Sequence, residues 1–251
     1  MYDEPKTIDD VLQALDAIID RSIKENNVLG IFAYLYRRTT FEVKSEIEKG
    51  AFEDNERMAA FDVAFANLYL QAFKNYLGQS TVCNSWKISF DARKSNLTIM
   101  QHLLMGMNAH INYDLGIAAS EIMKGKPIHE LENDFRKVNA ILAQLIDEMQ
   151  KRIGRVSYLM FVLDFIGGRQ DERLINYNMI KARHESWNIA TELWNMKDEH
   201  RQERIKLLDE EVKLTSEMIK RPPSIALRLS LKMVKTFEVR NVGKVISRLK
   251  S

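Results

Sequence analysis

The segment Asn108-Ala-His110-Ile-Asn112-Tyr-Asp114 sets polar side chains inside an otherwise apolar stretch. His110 and Asp114 are four residues apart, so on a helix they stack on one face. An imidazole and a carboxylate at that spacing support two kinds of chemistry. They can ligate one ion from a single helix, with Asp62 or Asp134 from neighbouring helices completing an N/O site that suits Zn, Mn or Fe. Alternatively, Asp114 can orient His110 as a general base, with Arg183 or the Asn amides stabilising an anion. The bland alternative is a hydrogen-bonded polar pair in a helical core that performs no chemistry. The chain carries no H-E-x-x-H, no E-x-x-H di-iron pattern, no P-loop and no G-x-S-x-G elbow.

The elements that must position these residues are helices. The chain has 251 residues with 10 Gly and 4 Pro, and so few breakers favour long helices. Thr7 is an N-cap with Asp9 and Asp10 in the first turn, and apolar residues then repeat at helical spacing to about Lys24. A second helix runs from about Val28 to Gly50, with Thr39 in line with its apolar side, and a third from Asp54 to Gly78. A short helix is expected around Trp86, and Ser95 or Asn96 caps a fifth that ends at Gly125. Pro127 opens a sixth, reaching about Arg152. Tyr158 to Ile166 reads as buried and Gly167-Gly168 as a turn. Asp171 to Lys220 is one long helix or two with a bend, and its charge-dense part from Asp198 reads as a solvated face. Pro222-Pro223 ends it, and Ser224 caps a last amphipathic pair. The expected architecture is a single all-α domain over residues 1–251, an antiparallel bundle of roughly eight to ten helices.

Projected at about 100° per residue, the fifth helix has an apolar stripe from Met100 to Ile122. His110 and Asp114 fall at one edge of the stripe, facing the core rim, and Asn108 at the other. Asp62 falls amid Met58, Phe65 and Tyr69 on a helix that is apolar nearly all round, where a carboxylate needs a partner or a raised pKa. Arg183 sits in a face formed by Met179, Ile180, Trp187, Ala190 and Trp194, and calls for a carboxylate from Asp62, Asp114 or Asp134. Asp134 and Asn139 flank Leu131, Phe135, Val138 and Leu142. The expected ligand-binding group is Arg183, Asp62, Asn108, Asp134 and Asn139. The expected metal or catalytic pair is His110 with Asp114, and a divalent metal is the expected cofactor.

Met107-Asn-Ala-His-Ile-Asn-Tyr-Asp-Leu115 resembles the central helix of an uncharacterised, mostly bacterial all-α family of unknown function. The likeness extends to Phe52-x-Asp54, Asp62-x-x-Phe65-Ala-Asn67-x-Tyr69, Asp134-Phe-x-x-Val-Asn139 and Arg183-x-x-x-Trp187. It implies the all-α fold and supplies no activity.

Three roles follow from these patterns. A cavity with convergent polar groups suits a small anionic or amphipathic ligand, with Arg183 taking a carboxylate or phosphate. The polar residues can instead be core ion pairs in a non-catalytic structural or interaction protein. From Arg221 onward the chain is basic, with Glu238 the sole acid, and Ile225, Leu229, Val234, Val242 and Ile246 supply an apolar side. Such helices, about 224–250, either dock on the bundle or lie on an anionic membrane. Net charge is +2, which gives no reason to expect nucleic acid. No stretch approaches 18 uncharged apolar residues, so no transmembrane segment is expected. The lone Cys83 and the acidic start of the chain point to a cytoplasmic protein.

Overall fold

A computed structural model describes residues 3–153 and 179–250, with 143–153 and 179–180 described as backbone alone. The expected Tyr158–Ile166 core segment, the Gly167-Gly168 turn and the helix start at Asp171 lie outside the described residues.

The expected caps show where helices begin. Thr7 Oγ1 accepts the Asp10 N–H at 3.1 Å, and the Asp10 carboxylate accepts the Thr7 N–H at 2.9 Å. This reciprocal pair opens α1 (Ile8–Lys24). Helix α2 covers Leu29–Glu48, and α3 covers Asn55–Leu77, with Asp54 as its N-cap. Helix α4 covers Asn84–Asp91, followed by a short 3-10 turn at Ala92–Lys94. The next helix begins later than expected. Ser95 only closes the 3-10 turn, and Thr98 caps α5 (Ile99–Ala109) through a box with Gln101.

The rod then changes pitch. His110–Asp114 form a π-helical turn in which the Leu115 N–H reaches back to the His110 carbonyl. Helix α6 (Leu115–Ile122) completes the rod, and Gly125, at φ +77°, turns the chain away where a side chain would strain. After a 3-10 turn at Ile128–Leu131 comes α7 (Glu132–Ile153), so Pro127 opens the 3-10 turn and not the α-helix. Helices α8 (Met179–Asn195) and α9 (Asp198–Lys220) are separate, divided at Met196-Lys197. Helices α10 (Ile225–Phe237) and α11 (Val242–Lys250) finish the chain. With α5, the π turn and α6 counted as one rod, ten helices are present among the described residues, an all-α bundle. None of them is long and apolar enough to cross a membrane.

The α5–π–α6 rod lies at the centre, with α2, α3, α4, α8 and α9 packed around it. It is therefore buried nearly all round, as its composition allows. Within the rod Gly106 admits a close neighbour: a Cβ there would meet the Phe32 ring at 2.6 Å. The solvated reading of α9 holds for most of its length, but Asp209 is buried. At the end of the chain, α11 buries Val242, Val245, Ile246 and Leu249, and the Tyr34 hydroxyl donates to the Leu249 carbonyl at 3.3 Å. Helix α10 docks through Leu227, Ser230 and Val234 only.

Candidate functional site

Three buried carboxylates hold helices in place. Asp134, on α7, accepts from the Glu53 and Asp54 N–H groups at 2.7 and 3.1 Å and from Arg57 at 2.9 Å, fixing the start of α3. Asp209, on α9, accepts from the Asn84 and Ser85 N–H groups at 2.8 Å each, at the start of α4. Glu238 accepts the Ile99 N–H at the start of α5, at 3.0 Å. Each satisfies N–H groups that a helix start leaves unpaired, and each sits at the positive end of a helix dipole.

Asn108 is likewise engaged. Its amide donates to the Val212 carbonyl at 2.8 Å and to Ser216 Oγ at 2.9 Å, tying α5 to α9, and its oxygen accepts from Asn112 at 2.8 Å. Arg183 does not find the expected carboxylate. Its Nε donates to Asn139 Oδ1 at 2.6 Å and an Nη donates to the Phe135 carbonyl at 2.9 Å, with the guanidinium 4.6 Å from the Phe135 ring centre. Asn139 and Arg183 thus meet each other, as sequence grouping suggested, while Asp134 and Asn108 serve elsewhere. Burial lowers the Arg183 pKa to about 10, which leaves it charged at neutral pH.

The π turn builds the remaining group. His110 and Asp114 lie in the interior, at 4% and 1% exposure, and not at the core rim. The projection at constant pitch fails here because the rod is central and the π turn shifts its register. His110 Nδ1 lies 3.1 Å from Asp114 Oδ2, and the Trp86 indole N–H donates to the same oxygen at 2.9 Å. Aromatic rings wall the imidazole. Phe65 stacks on it with centroids 3.7 Å apart, and Tyr36 meets it edge-on at 4.2 Å.

What stands out is the polar atoms left over. His110 Nε2, Tyr36 Oη, Thr40 Oγ1 and Asp62 Oδ2 are all buried without a hydrogen-bond partner among the described residues. Tyr36 links them. Its ring touches His110, burial and then the Asp62 charge push its phenol pKa upward, and the Thr40 hydroxyl one turn further along α2 comes close enough to oppose that rise. Leaving one such atom unsatisfied costs about 1–3 kcal/mol. Four together are a large fraction of a typical folding free energy of about 5–15 kcal/mol. Buried groups of this kind ordinarily find a water or a ligand. The interior is not filled to the last atom, because a cavity of about 10 Å³ lies beside Phe32, Tyr69 and Trp86, next to His102.

Burial decides the protonation of this group. It raises the Asp114 pKa well above the carboxylate range, with Trp86 opposing, and lowers that of His110 well below neutrality, helped by the nearby Arg183 charge. Asp62 is pushed by burial to about 7. With its proton on Oδ2, a neutral Asp114 makes His110 Nδ1 the acceptor and leaves the imidazole proton on Nε2. The open nitrogen is then a donor. A general base at Nε2 would need the opposite tautomer, with Nδ1–H donating to Asp114 Oδ2.

Among the described residues no group of three or more His, Cys, Asp or Glu side chains is placed to hold a metal ion. His110 and Asp114 supply two donors already turned toward each other, and Asp134 is committed to α3. Cys83 stays a thiol, because burial pushes its pKa up to about 12. Sequence reasoning missed Tyr36, Thr40 and Trp86. Helical projection had placed Thr39 toward the core, but Thr39 donates to its own helix at the Leu35 carbonyl and Thr40 is the buried one. Trp86 carried a usable signal, since a buried indole N–H requires an acceptor.

Residues 8–222 match the model of a family described as a family of unknown function, DUF5995. No curated protein and no solved structure matches the chain. With the match spanning most of its length, the chain belongs to the DUF5995 family of unknown function.

Proposed function

We propose that this protein binds a small anion with oxygen acceptors, a carboxylate or phosphate, in the core between α2, α3 and the π turn. One observation carries the reading: apart from a contact between the Tyr36 and Thr40 hydroxyls, the buried polar atoms of His110, Tyr36, Thr40 and Asp62 have no hydrogen-bond partner among the described residues. In the protonation state that burial favours, the imidazole Nε2–H and the Tyr36 and Thr40 hydroxyls all donate, and so does Asp62 below about pH 7. The Arg183 charge, uncompensated by any carboxylate at ion-pair distance among the described residues, supplies a favourable potential. The lone Cys83 accords with a reducing, cytoplasmic setting for such a binder.

The test is native mass spectrometry of the protein as purified, followed by calorimetric titration with acetate and with inorganic phosphate. Tyr36→Phe and Thr40→Val each remove one donor without touching Asp114. Each should weaken anion binding by roughly tenfold, the worth of one hydrogen bond of about 1.4 kcal/mol. Affinity should also fall as pH rises through about 7, where Asp62 turns from donor to repelling charge. Failure of the wild type to bind either anion, with no co-purified ligand, would overturn the reading. So would stoichiometric metal that disappears in His110→Ala with Asp114→Ala, which would favour a metal site instead.

A further inference from the structure

A second surface, distant in kind from the buried cluster, lies where α9 ends and α10 begins. An open cavity of about 430 Å³ is lined by Leu97, Ile225, Leu229 and Leu231 together with Lys220, Arg221, Arg228 and Lys232. No carboxylate lines it. Two nearby lysines are paired, Lys213 with Glu210 at 2.9 Å and Lys235 with Glu238 at 3.5 Å. None of the four cations of the cavity has an ion-pair partner among the described residues. The cavity therefore concentrates positive charge that no carboxylate among the described residues neutralises.

The same helix carries an apolar stripe that the fold leaves uncovered. Ile225, Leu229, Met233 and Phe237 follow at four-residue spacing on α10, and they are 68%, 61%, 43% and 60% exposed. Fully burying a residue of this size contributes about 1.5–3 kcal/mol, so four of them left in water are a sizeable unused driving force. Around α10 the buried face (Leu227, Ser230, Val234), the apolar stripe and the basic side (Arg228, Lys232) occupy successive sectors. Ile225 and Leu229 belong both to the stripe and to the cationic cavity. Both α10 and α11 lie beyond the residues matched by the family, which end at 222.

We infer that this face docks on an anionic phospholipid bilayer. Ile225, Leu229, Met233 and Phe237 enter the boundary between headgroups and acyl chains, and Lys220, Arg221, Arg228 and Lys232 hold lipid phosphates. The charge decides the occupant. An apolar stripe flanked by unpaired cations matches a surface that is apolar at depth and negative at its rim, the combination that holds interfacial amphipathic helices. A second copy of this chain would bring the same four cations against each other.

Co-sedimentation of the full chain with phosphatidylcholine vesicles, with and without 30 mol% phosphatidylserine, tests the inference (~30 mol% being enough for a negative surface potential). Binding is expected to the anionic vesicles and not to the neutral ones, and to fall steeply with added salt. Each surface cation is worth about fivefold in partitioning, so Arg228→Gln with Lys232→Gln should weaken binding roughly 30-fold. Leu229→Glu with Phe237→Glu should abolish it. All four residues are exposed or half-exposed, so circular dichroism and melting should be little changed. Equal binding to neutral vesicles, no binding at low salt, or unchanged binding of both double variants overturns the inference. So does a wild-type dimer that Leu229→Glu with Phe237→Glu converts to monomer in the absence of lipid.

Discussion

Asp62 offers the sharpest quantitative test of the buried cluster. Its carboxyl is buried with one oxygen unpartnered, and desolvation alone raises its pKa from 3.8 to about 7. In the unfolded chain the group ionises near its ordinary value of about 3.9, while in the fold it holds its proton to about 7. Between those values the folded state binds more protons than the unfolded state, so stability falls as pH rises. The loss begins near pH 4, is nearly complete at pH 7 and levels off above it. Its size is about 4 kcal/mol, from about 1.4 kcal/mol per tenfold change in proton affinity. Asp62→Asn removes the titration and keeps the shape. Urea denaturation of both proteins at intervals from pH 4.5 to 8 should give a stability difference that grows in favour of the variant by several kcal/mol. Taking the difference cancels whatever other pH response the two proteins share. The amide adds a constant offset because it too lacks a partner, so the slope carries the test. A difference that stays flat with pH would refute the reasoning, since Asp62 would then be ionised in the fold and held by a partner.

Two further predictions concern the supports of the site. Trp86→Phe removes the indole N–H that reaches Asp114 at 2.9 Å, and should lower stability by about 1–3 kcal/mol in chemical denaturation. With Asp114→Ala already present, the same substitution should have a smaller effect, because the acceptor of that bond is gone. Asp209→Ala leaves the Asn84 and Ser85 N–H groups unpaired and should lower stability by about 1–2 kcal/mol, with amide exchange faster in α4 than in α1.

Local signals were enough for most of the helix boundaries. Thr7 and Ser224 cap the helices they were read to cap, and Asp54, read as the start of the third helix, caps it, because capping bonds span only a few residues. The site was legible in part. The spacing of His110 and Asp114 put them in contact, and the apolar run around Asp62 announced a displaced pKa. Other assignments failed because the deciding partner lies in a distant part of the chain. Asp134 and Asp62 look alike in sequence, as carboxylates among apolar residues, yet one meets two backbone N–H groups and an arginine while the other has an oxygen without a partner. Arg183 was read as wanting a carboxylate, and an amide oxygen, a carbonyl and an aromatic ring meet it instead. The π turn leaves no composition mark of its own, and its change of register is not captured by a projection at constant pitch.

The contrast between the satisfied and the unsatisfied groups is what gives the His110 cluster its meaning. Across this core, buried carboxylates are consistently given partners: Asp134, Asp209 and Glu238 each take up the free N–H groups of a helix start. Asn108 is saturated as well, through a carbonyl, a hydroxyl and a neighbouring amide. Among the described residues eight buried side-chain atoms lack a hydrogen-bond partner, and four of them belong to His110, Tyr36, Thr40 and Asp62. The His110 imidazole sits on a π turn, held by Asp114 and pressed between Phe65 and Tyr36. Loose packing does not explain it, because the rings stack at van der Waals separation and Asp114 is anchored by Trp86. The orientation of His110 is fixed while its outward nitrogen is unused, which is the condition expected of a side chain positioned for something the polypeptide itself does not supply.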